Sequence, residues 1–308
     1  MKAVRFGEYG GVDVLRVDDV PVPEPGPGQV LVRVRAAGVN PGEAKIRDGL
    51  LHARWPATFP SGQGSDLAGV VDRAGPDVTT VTPGEEVIGW VETRSSQAEY
   101  AVVEAEHLTP KPAGVSWEAA GALPVAGFTA WAAVRAVSPR PGDTVVVSGA
   151  AGGVGSLAVQ LARHDGATVI GIAGPDNHDW LRAHGVIPVS YGAGLADRVR
   201  AELPAGGQVD AFIDTYGGDY VELALSDLKV APERVDTIVR FDAAEKYGVK
   251  LDGNAAGASA ETLGQLAGLI AAGELEVPIA AAYPLDEVRA AYTKLATGHI
   301  RGKIVLLA

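Results

Sequence analysis

The sequence predicts an α/β protein in which a small antiparallel barrel or irregular sheet is followed by a doubly wound parallel sheet. The chain has 308 residues, a length that usually divides into two domains of ~100–200 residues. In the first third, short alternating stretches are separated by Pro–Gly or Gly–Pro pairs, a pattern typical of small antiparallel sheets. From Thr144 onward, Val- and Ile-rich stretches alternate with helical ones, which is typical of a parallel sheet covered on both faces.

The first part of the chain is predicted to contain short strands and then two helices. The strands are marked by alternation of apolar and polar side chains or by β-branched residues. They are predicted at residues 29–35, 67–72, 86–91 and 98–103. Ser116 is a suitable helix N-cap, so one helix is predicted over residues 117–123 and a second over residues 127–137.

The second part is predicted as five or six parallel strands with helices between them. The strands are expected at residues 144–148, 168–172, 186–191, 209–214, 235–239 and 249–251. The helices are expected to begin near Val154, Asn177, Leu195 and Asp219. The tail is predicted as helix 259–273, strand 277–281, helix 286–297 and strand 303–307. Because the parallel sheet is complete without this tail, we expect it to return to the first part.

Composition excludes several classes of site and partner. The chain has no cysteine, so it has neither disulfides nor thiolate-ligated metal sites. Its formal net charge is -12 and its pI is about 5.0, which argues against a nucleic-acid partner. The N-terminus lacks the apolar stretch of a signal peptide, and no apolar run approaches the ~18–20 residues that span a bilayer. We therefore expect a cytoplasmic protein with no membrane partner.

The glycine-rich segment at residues 149–155 is the clearest chemical signal. A buried strand runs into Gly149, Gly152 and Gly155, and an apolar helix follows directly. Glycines permit a sharp turn and close approach of backbone to a pyrophosphate, while the helix N-terminus directs N–H groups at it. The spacing is G-x-x-G-x-x-G rather than the common G-x-G-x-x-G, although the strand–loop–helix context is the expected one. The alternative is a tight turn that binds nothing.

Six motifs carry a resemblance to a known family. They are 37–41 (Ala-Gly-Val-Asn-Pro), 64–71 (Gly-Ser-Asp-Leu-Ala-Gly-Val-Val), 127–131 (Gly-Phe-Thr-Ala-Trp), 150–155 (Ala-Ala-Gly-Gly-Val-Gly), 214–218 (Asp-Thr-Tyr-Gly-Gly) and 299–306 (His-Ile-Arg-Gly-Lys-Ile-Val-Leu). With these motifs the chain resembles the medium-chain dehydrogenase/reductase superfamily, in its zinc-free quinone oxidoreductase (zeta-crystallin-like) branch. The resemblance implies a GroES-like substrate and catalytic domain of residues 1–124 and 279–308, and a Rossmann dinucleotide-binding domain of residues 125–278.

The resemblance also bears on metal chemistry. Zinc members of the superfamily have a Cys at the position of Asn40 and a Gly-His-Glu where this chain has Gly64, Ser65 and Asp66. The cysteine-rich lobe that holds a second zinc is absent. Asp66 alone cannot supply a tetrahedral site of nitrogen and sulfur ligands, so we predict no catalytic metal.

Three residues are the predicted catalytic group. By resemblance, Asn40 sits beside the nicotinamide and Thr129 closes the pocket from the start of the 127–131 helix. Many relatives have a Tyr in the segment that matches residues 44–47, where this chain offers Lys45, which could stabilise developing negative charge. The alternatives are a turn-forming Asn40, a helix-capping Thr129 and a solvated surface Lys45. Trp55, Trp90 and Trp131 are candidates for the wall of a pocket that accepts a flat substrate, or are structural.

The remaining predictions concern the cofactor. Its predicted contacts, besides Asn40 and Thr129, are Ala151, Gly152, Gly153, Val154, Gly174, Asn177, Tyr191, Thr215 and Lys303. Lys303 matches the lysine of the family's Arg-Gly-Lys motif; the alternative is a surface lysine at the chain end. NAD-specific proteins carry Asp or Glu at the end of the second strand, and this strand ends without an acid. We therefore predict NADPH, with NADH possible because Asp176 follows closely.

The predicted function is hydride transfer to a conjugated carbonyl, a quinone or an enone. The alternatives are an enoyl-thioester reductase of a biosynthetic pathway and a dinucleotide-binding protein without turnover. The family commonly dimerises by joining Rossmann sheets edge to edge, so we also expect a homodimer, with residues 235–239 and 249–251 nearest that edge.

Overall fold

The computed structural model describes all 308 residues and divides them into two compact units. The first unit comprises Met1–Val125 and Ala258–Ala308, and the second comprises Ala126–Gly257. The strands are β1 (Lys2–Phe6), β2 (Arg16–Asp19), β3 (Gln29–Val39), β4 (Ser61–Gly62), β5 (Asp66–Ala74), β6 (Glu86–Trp90), β7 (Tyr100–Glu104), β8 (Leu108–Pro110), β9 (Thr144–Ser148), β10 (Thr168–Ile172), β11 (Ile187–Val189), β12 (Ala211–Asp214), β13 (Val235–Thr237), β14 (Ile279–Pro284) and β15 (Lys303–Leu307).

The helices lie between these strands. They are α1 (Pro41–Arg47), α2 (Trp117–Val137), α3 (Gly155–His164), α4 (His178–Ala183), α5 (Leu195–Ala201), α6 (Tyr220–Glu222), α7 (Phe241–Tyr247), α8 (Asn254–Gly257), α9 (Ala260–Ala271) and α10 (Val288–Ala296). Short 3-10 turns flank several of them, and α6 continues as a π-helical turn over Leu223–Asp227. The predicted helix starts near Val154, Asn177, Leu195 and Asp219 each fall within one residue of an observed start.

The first unit is built around the long strand β3. One end of β3 pairs with β7, its length pairs with β5, and its other end pairs with β15, all antiparallel. Six strands of the seven-stranded sheet have the order β14-β15-β3-β5-β6-β8, and the seventh, β7, pairs with β3 outside this path. In a second small sheet, β1 lies between β2 and β4. Alternate residues of β3, such as Val30, Val32 and Val34, are buried in the core that this sheet encloses. The predicted irregular antiparallel sheet is therefore confirmed, and its strand β7 begins two residues later than predicted.

The C-terminal tail returns to the first unit, as predicted, and it does so earlier than predicted. β15 lies between β3 and β14, and α10 packs beside β14 and β15. The predicted boundary was residue 278, whereas residues from Ala258 onward group with the first unit. The physical reason is that α9 packs against strands of the first unit. It contacts β6 and β8, and its residues Leu263, Leu266 and Ala267 are buried.

The two helices predicted over 117–123 and 127–137 are one helix, α2. Ser116 caps it as expected, because the Ser116 Oγ accepts a hydrogen bond from the Ala119 N–H at 3.1 Å. Pro124 and Gly127 disfavour a helix locally, but nearly every face of α2 is buried, and burial outweighs that preference. By length and hydropathy α2 could cross a membrane, yet 83% of the relevant window is buried, as in the core helix of a globular protein.

The second unit contains a parallel five-stranded sheet with the order β11-β10-β9-β12-β13. The predicted doubly wound sheet is thus confirmed with five strands. The sixth predicted strand, 249–251, is only a single parallel bridge between Lys250 and Asp236. The strand order reverses between β9 and β12, and such reversal points are where α/β sheets bind ligands outside the carboxyl ends of their strands.

Candidate functional site

The loop at the reversal point is shaped by glycines. Gly149 has a φ of +58°, a left-handed conformation that favours glycine. A Cβ on Gly155 would overlap the Gly149 carbonyl, so the first turn of α3 can approach the loop only without a side chain there. Gly152 N–H donates to Gly149 O and Ser156 N–H to Gly152 O, so the loop closes directly onto the first turn of α3, where the N–H groups of residues 153–155 lie. These groups are suited to bind a pyrophosphate.

A buried carboxylate, Asp214, holds the carboxyl ends of three strands together. Its Oδ1 accepts from Ser148 Oγ at 2.6 Å at the end of β9, and its Oδ2 accepts from Thr237 Oγ1 at 2.8 Å on β13. The same Oδ1 accepts the N–H groups of Tyr216 and Gly217. Thr215 is fixed in turn, because its Oγ1 donates to Ser148 O at 2.7 Å. Thr215 therefore lies directly beside the glycine loop, where a Cβ on Gly149 would meet Thr215 Oγ1 at 2.9 Å.

The end of β10 carries the residues predicted to contact the adenosine. A Cβ on Gly174 would meet the Tyr191 ring at 3.6 Å, so these two predicted residues lie together. His178 Nε2 is 3.4 Å from both Ala173 O and Ser190 Oγ. Asp176 is exposed, in the turn that precedes α4.

Two arginines near this end are already engaged. Arg198 donates to the carbonyl groups of Ser190, Gly192 and Ala193, and Arg182 pairs with Asp179 at 3.0 Å. Together, the glycine cradle, Thr215 and the exposed β10 end fit a dinucleotide at the second unit.

In the first unit, Asn40 is the centre of a buried polar cluster. It is 6% exposed and precedes α1, where its backbone N–H donates to Glu43 Oε2 at 3.0 Å. The Asn40 side-chain Nδ2 donates to Glu43 Oε1 at 3.0 Å and to Asp66 Oδ2 at 2.9 Å. Its Oδ1 accepts from the Lys303 ammonium. Both amide hydrogens of Asn40 are thus committed to carboxylates.

The Glu43 carboxylate is surrounded by donors. Besides Asn40, Glu43 accepts from Ser65 N–H at 3.1 Å, from the Tyr292 hydroxyl at 2.7 Å and from Gln97 Nε2 at 3.4 Å. Tyr292 in turn accepts from Gln63 and Gln97, and the Arg47 guanidinium lies over its ring at 4.9 Å. Burial raises the pKa of Glu43 above its ordinary range, as does the Asp66 charge, while these donors oppose the shift.

Asp66 and Lys303 complete the cluster. Asp66 is fully buried, and its Oδ1 accepts from Val125 N–H at 2.8 Å. Lys303 is 4% exposed and its Nζ lies 3.5 Å from Asp66 Oδ2 and 3.4 Å from Val39 O. Burial raises the pKa of Asp66, and the nearby Lys303 charge works in the opposite direction. Lys303 is therefore a buried lysine in an ion pair, and the possibility that it is only a surface lysine was wrong.

Two glycines of the family motifs exist to make room for this cluster. A Cβ on Gly38 would overlap the Asp66 carboxylate. Gly64 has a φ of +91°, and a Cβ there would overlap Gln97 and lie 2.6 Å from Ser96 Oγ.

The other predicted residues lie outside the cluster. Lys45 is exposed on α1. Thr129 is 7% exposed and lies in the interior of α2, because the helix that was predicted to start at Gly127 starts at Trp117. Trp90 stacks on His107 at 4.2 Å, the Arg135 guanidinium lies over Trp131 at 4.5 Å, and Trp55 is 40% exposed.

A cavity of about 440 Å³ in the first unit is separate from these residues. Its lining includes Arg5, Glu92, Tyr100, Glu104 and His107, and none of the predicted site residues. Sequence reasoning missed Glu43 and Tyr292, and it gave no role to Asp214 although Asp214 opens the motif 214–218. Glu43 also carried a local signal, its position three residues after an N-cap asparagine, whereas Tyr292 carried none.

Two family models match the sequence. The model described as alcohol dehydrogenase GroES-like domain matches residues 26–136, and the model described as zinc-binding dehydrogenase matches residues 195–306. Together they reach both units.

Several curated relatives are similar to the chain. The quinone oxidoreductase of Pseudomonas aeruginosa is 32% identical over 99% of this chain and 99% of its own length. The NADPH-dependent alkenal/one oxidoreductase of Arabidopsis thaliana is 31% identical over 99% of this chain and 79% of its own length. The quinone oxidoreductase of Mus musculus is 38% identical over 57% of this chain, and the matched part spans about half of its length, 53%. Erythronolide synthase EryA2 of Saccharopolyspora erythraea is 34% identical over 91% of this chain and 8% of its own length.

A solved structure has the same architecture. The quinone oxidoreductase from Coxiella burnetii superposes with a TM-score of 0.88 at 31% identity, covering 100% of this chain and 99% of that one. The likeness therefore extends over both units.

The first prediction tests the glycine loop. Gly153→Val places a branched side chain on the half-exposed turn where a pyrophosphate would lie. We expect NADPH affinity to fall at least ~10-fold, about 1.4 kcal/mol, with little change in the fold. Titration by nicotinamide fluorescence measures it, and Gly11→Val is the control, because a Cβ on Gly11 meets nothing within 4 Å. Unchanged affinity in a folded Gly153→Val protein would remove the dinucleotide from this loop.

The second prediction tests the packing of the buried cluster. Gly38→Ala forces a methyl group into the Asp66 carboxylate, and we expect a loss of ~1–3 kcal/mol in the free energy of unfolding. Gly42→Ala is the matched control, because a Cβ on the exposed Gly42 meets nothing within 4 Å; its change should be within ~1 kcal/mol and stabilising. Urea denaturation of both variants measures this, and equal stabilities would contradict the packing argument.

Proposed function

The chain belongs to the quinone oxidoreductase family of the medium-chain dehydrogenase/reductase superfamily, and we propose that it is a zinc-independent oxidoreductase that transfers hydride from NADPH to a conjugated carbonyl, a quinone or an enone. The observation that carries this proposal is the glycine cradle at the reversal point of the parallel sheet, followed directly by the N-terminus of α3. Full-length relatives named quinone oxidoreductase and alkenal/one oxidoreductase support the substrate class.

In this proposal the second unit binds the cofactor, which supplies the hydride when bound. The loop residues 151–154 hold the pyrophosphate through backbone N–H groups, and Thr215 borders the loop under the control of Asp214. Gly174, Asn177 and Tyr191 surround the adenosine end, where Gly174 lies beside the Tyr191 ring.

Asn40, Lys45 and Thr129 remain the proposed catalytic residues, with different capacities. Asn40 has no amide hydrogen to spare, because both donate to buried carboxylates, so its contribution is as a fixed dipole with one acceptor position left. The exposed Lys45 is free to approach a developing negative charge. The reaction also consumes one proton, which we assign to solvent.

Zinc does not fit the residues at the positions where zinc relatives hold it. The Asn40 side chain and Asp66 are bonded to each other and to the Lys303 ammonium. A divalent cation would have to displace a buried positive charge and gain ligands from an amide, a hydroxyl and one carboxylate.

A second candidate substrate is an enoyl thioester. The likeness of 91% of this chain to a segment of erythronolide synthase favours it, because that protein's name describes a biosynthetic synthase. Both candidates require hydride addition to a carbon conjugated with a carbonyl group, so they share the same cofactor chemistry.

We further propose a homodimeric, cytoplasmic protein without nucleic-acid or membrane partners. The acidic net charge of -12 supports the absence of nucleic acid. The dimer follows from the family resemblance, which places the contact near β13, the strand at one edge of the parallel sheet.

The third prediction is turnover without metal. The purified protein should oxidise NADPH in the presence of simple quinones or enones, followed by loss of nicotinamide absorbance, and a chelator should leave the rate unchanged. A crotonyl-type thioester in the same panel tests the second candidate. Tight NADPH binding without turnover on any acceptor would indicate a non-catalytic protein, and a chelator-sensitive rate restored by zinc would contradict metal independence.

The fourth prediction concerns cofactor choice. We expect a modest preference for NADPH over NADH, which the negative charge of the exposed Asp176 weakens. Removing a like charge at ~4–6 Å from the 2′-phosphate should favour NADPH binding by on the order of 1 kcal/mol, about fivefold in affinity. Asp176→Ser should therefore raise the NADPH/NADH ratio of kcat/KM by several-fold. Asp227→Ser, which removes an exposed carboxylate elsewhere in the second unit, is the control. A wild type that strongly prefers NADH, with Asp176→Ser abolishing this, would assign Asp176 to the ribose hydroxyls instead.

A further inference from the structure

The carboxamide of Asn40 has only one chemically sensible orientation. Its Nδ2 faces two carboxylates, Glu43 at 3.0 Å and Asp66 at 2.9 Å, and carboxylates need donors. Its Oδ1 faces the Lys303 ammonium, which can only donate. The flipped orientation would set oxygen against two carboxylates and nitrogen against an ammonium. Lys303 is therefore the residue that fixes the oxygen end of Asn40.

Lys303 is placed for this by the chain that leads into β15. Gly302 has a φ of +76°, and a Cβ there would overlap the Pro278 carbonyl, so only glycine brings the chain past Pro278 at this point. The Lys303 N–H then donates to the same carbonyl at 2.8 Å. The next residue, Ile304, pairs with Val39, the residue before Asn40, so the Lys303 side chain reaches Asn40 from the neighbouring strand.

Lys303 supplies the positive charge that the two buried carboxylates of the cluster have in their immediate surroundings. The hydrogen-bond partners of the Glu43 carboxylate all donate to it. The Asp66 carboxylate likewise accepts from Val125 N–H, Asn40 Nδ2 and the Lys303 ammonium. Carboxyl groups that only accept are typical of the ionised form. Lys303 is the cation that contacts Asp66 directly, and it reaches Glu43 only through the Asn40 carboxamide. The Arg47 guanidinium faces the Tyr292 ring, one side chain further away, and Tyr292 itself is a neutral donor.

We propose that Lys303 is a positioning residue for the hydride-transfer reaction, which holds the Asn40 carboxamide in one orientation and offsets the buried charge of Asp66 beside Glu43. The proposal rests on the proposed function, in which Asn40 serves the nicotinamide end of the reaction. It differs from a direct role in cofactor binding, because the Lys303 amine is 4% exposed and its recorded contacts are Val39 O, Asn40 Oδ1 and Asp66 Oδ2.

Removal of the Lys303 charge has a defined consequence. Two buried carboxylates separated by one carboxamide would then lack a cation, and the pKa of Asp66, already raised by burial, would rise further. A carboxyl group whose pKa is higher in the folded than in the unfolded state stabilises at low pH and loses that stabilisation as pH rises through the folded pKa. The cluster of the variant should therefore depend on pH more strongly, and at higher pH, than the wild-type cluster.

The experiment compares Lys303→Met with Lys303→Arg, and uses Lys294→Met as the control for loss of an exposed lysine on α10. We expect Lys303→Met to lower kcat on the order of 10- to 100-fold, as misplaced catalytic groups do, with NADPH affinity nearly unchanged. The kcat of Lys303→Met should fall as pH rises from 5.5 to 9, and its Tm should fall further below that of wild type over the same range. Lys303→Arg should restore a flat pH profile, and Lys294→Met should match wild type throughout.

A spectroscopic readout is independent of turnover. The chain contains three asparagines, Asn40, Asn177 and Asn254, so selective ¹⁵N-asparagine labelling yields three side-chain amide pairs. Asn177→Ser and Asn254→Ser assign two pairs and leave Asn40. In wild type, both Asn40 amide hydrogens should exchange slowly and hold their shifts from pH 5.5 to 9. In Lys303→Met, the Asn40 pair should shift with pH.

Each outcome decides the proposal. If Lys303→Met loses NADPH affinity while its kcat is unchanged and its pH profile is flat, Lys303 is a cofactor contact and the proposal is overturned. A pH-dependent Tm and amide pair with wild-type kcat would make the cluster purely structural and also overturn it. Should Lys303→Met not fold, Lys303→Gln keeps a donor for Asn40 and loses the charge, so a flat profile there would refute the charge balance. If wild type turns over no acceptor, the proposed function fails, and the amide shifts and Tm still decide whether Lys303 orients Asn40.

Discussion

The burial of two carboxylates and one ammonium around a single carboxamide is the constraint on which the first unit depends. An isolated buried charge is strongly unfavourable, and a buried ion pair is tolerated only when its remaining polar atoms are hydrogen-bonded. Glu43, Asp66 and Lys303 meet that condition through donors and acceptors that come from β3, α1, β5, α10 and β15. Since these elements span nearly the whole of the first unit's sequence, the C-terminal tail must return for the N-terminal strands to be satisfied.

The second unit also contains a buried carboxylate, but neutral hydrogen-bond donors stabilise it. Asp214 is fully buried without a cation, and it is satisfied by two hydroxyl groups and two backbone N–H groups. Asp236, on the adjacent strand, has a less complete shell, because its Oδ1 accepts from Asp252 N–H while its Oδ2 has no partner. Burial accordingly raises the pKa of Asp236 to about 7, so ionising it costs stability as pH rises through neutrality. Buried acids in this protein thus differ in how completely hydrogen bonds satisfy their carboxylate oxygens.

The local features of this fold could be predicted from sequence, and the long-range ones could not. The glycine loop, its strand and its helix were predictable because one short segment contains the turn, the close approach and the helix start. The continuity of α2 was not, because Gly127 and the Pro124 ring disfavour a helix locally and the burial that outweighs them is a property of the packed chain. The bond from Tyr292 to Glu43 joins residues 249 positions apart, and no spacing rule links them.

The family resemblance identified Asn40, Asp66 and Lys303 singly, and only the structure joins them. Their motifs are Ala-Gly-Val-Asn-Pro, Gly-Ser-Asp and Arg-Gly-Lys, and each motif contains a glycine next to or near the polar residue. Gly38 leaves the volume that the Asp66 carboxylate occupies, Gly64 leaves that of Gln97, and Gly302 lets Lys303 enter beside Pro278. Each of these glycines thus leaves space for a polar residue, or for the backbone that positions one, either next to it or far away in the sequence. The three motifs are therefore parts of one buried arrangement, and a change in any of them acts on Asn40.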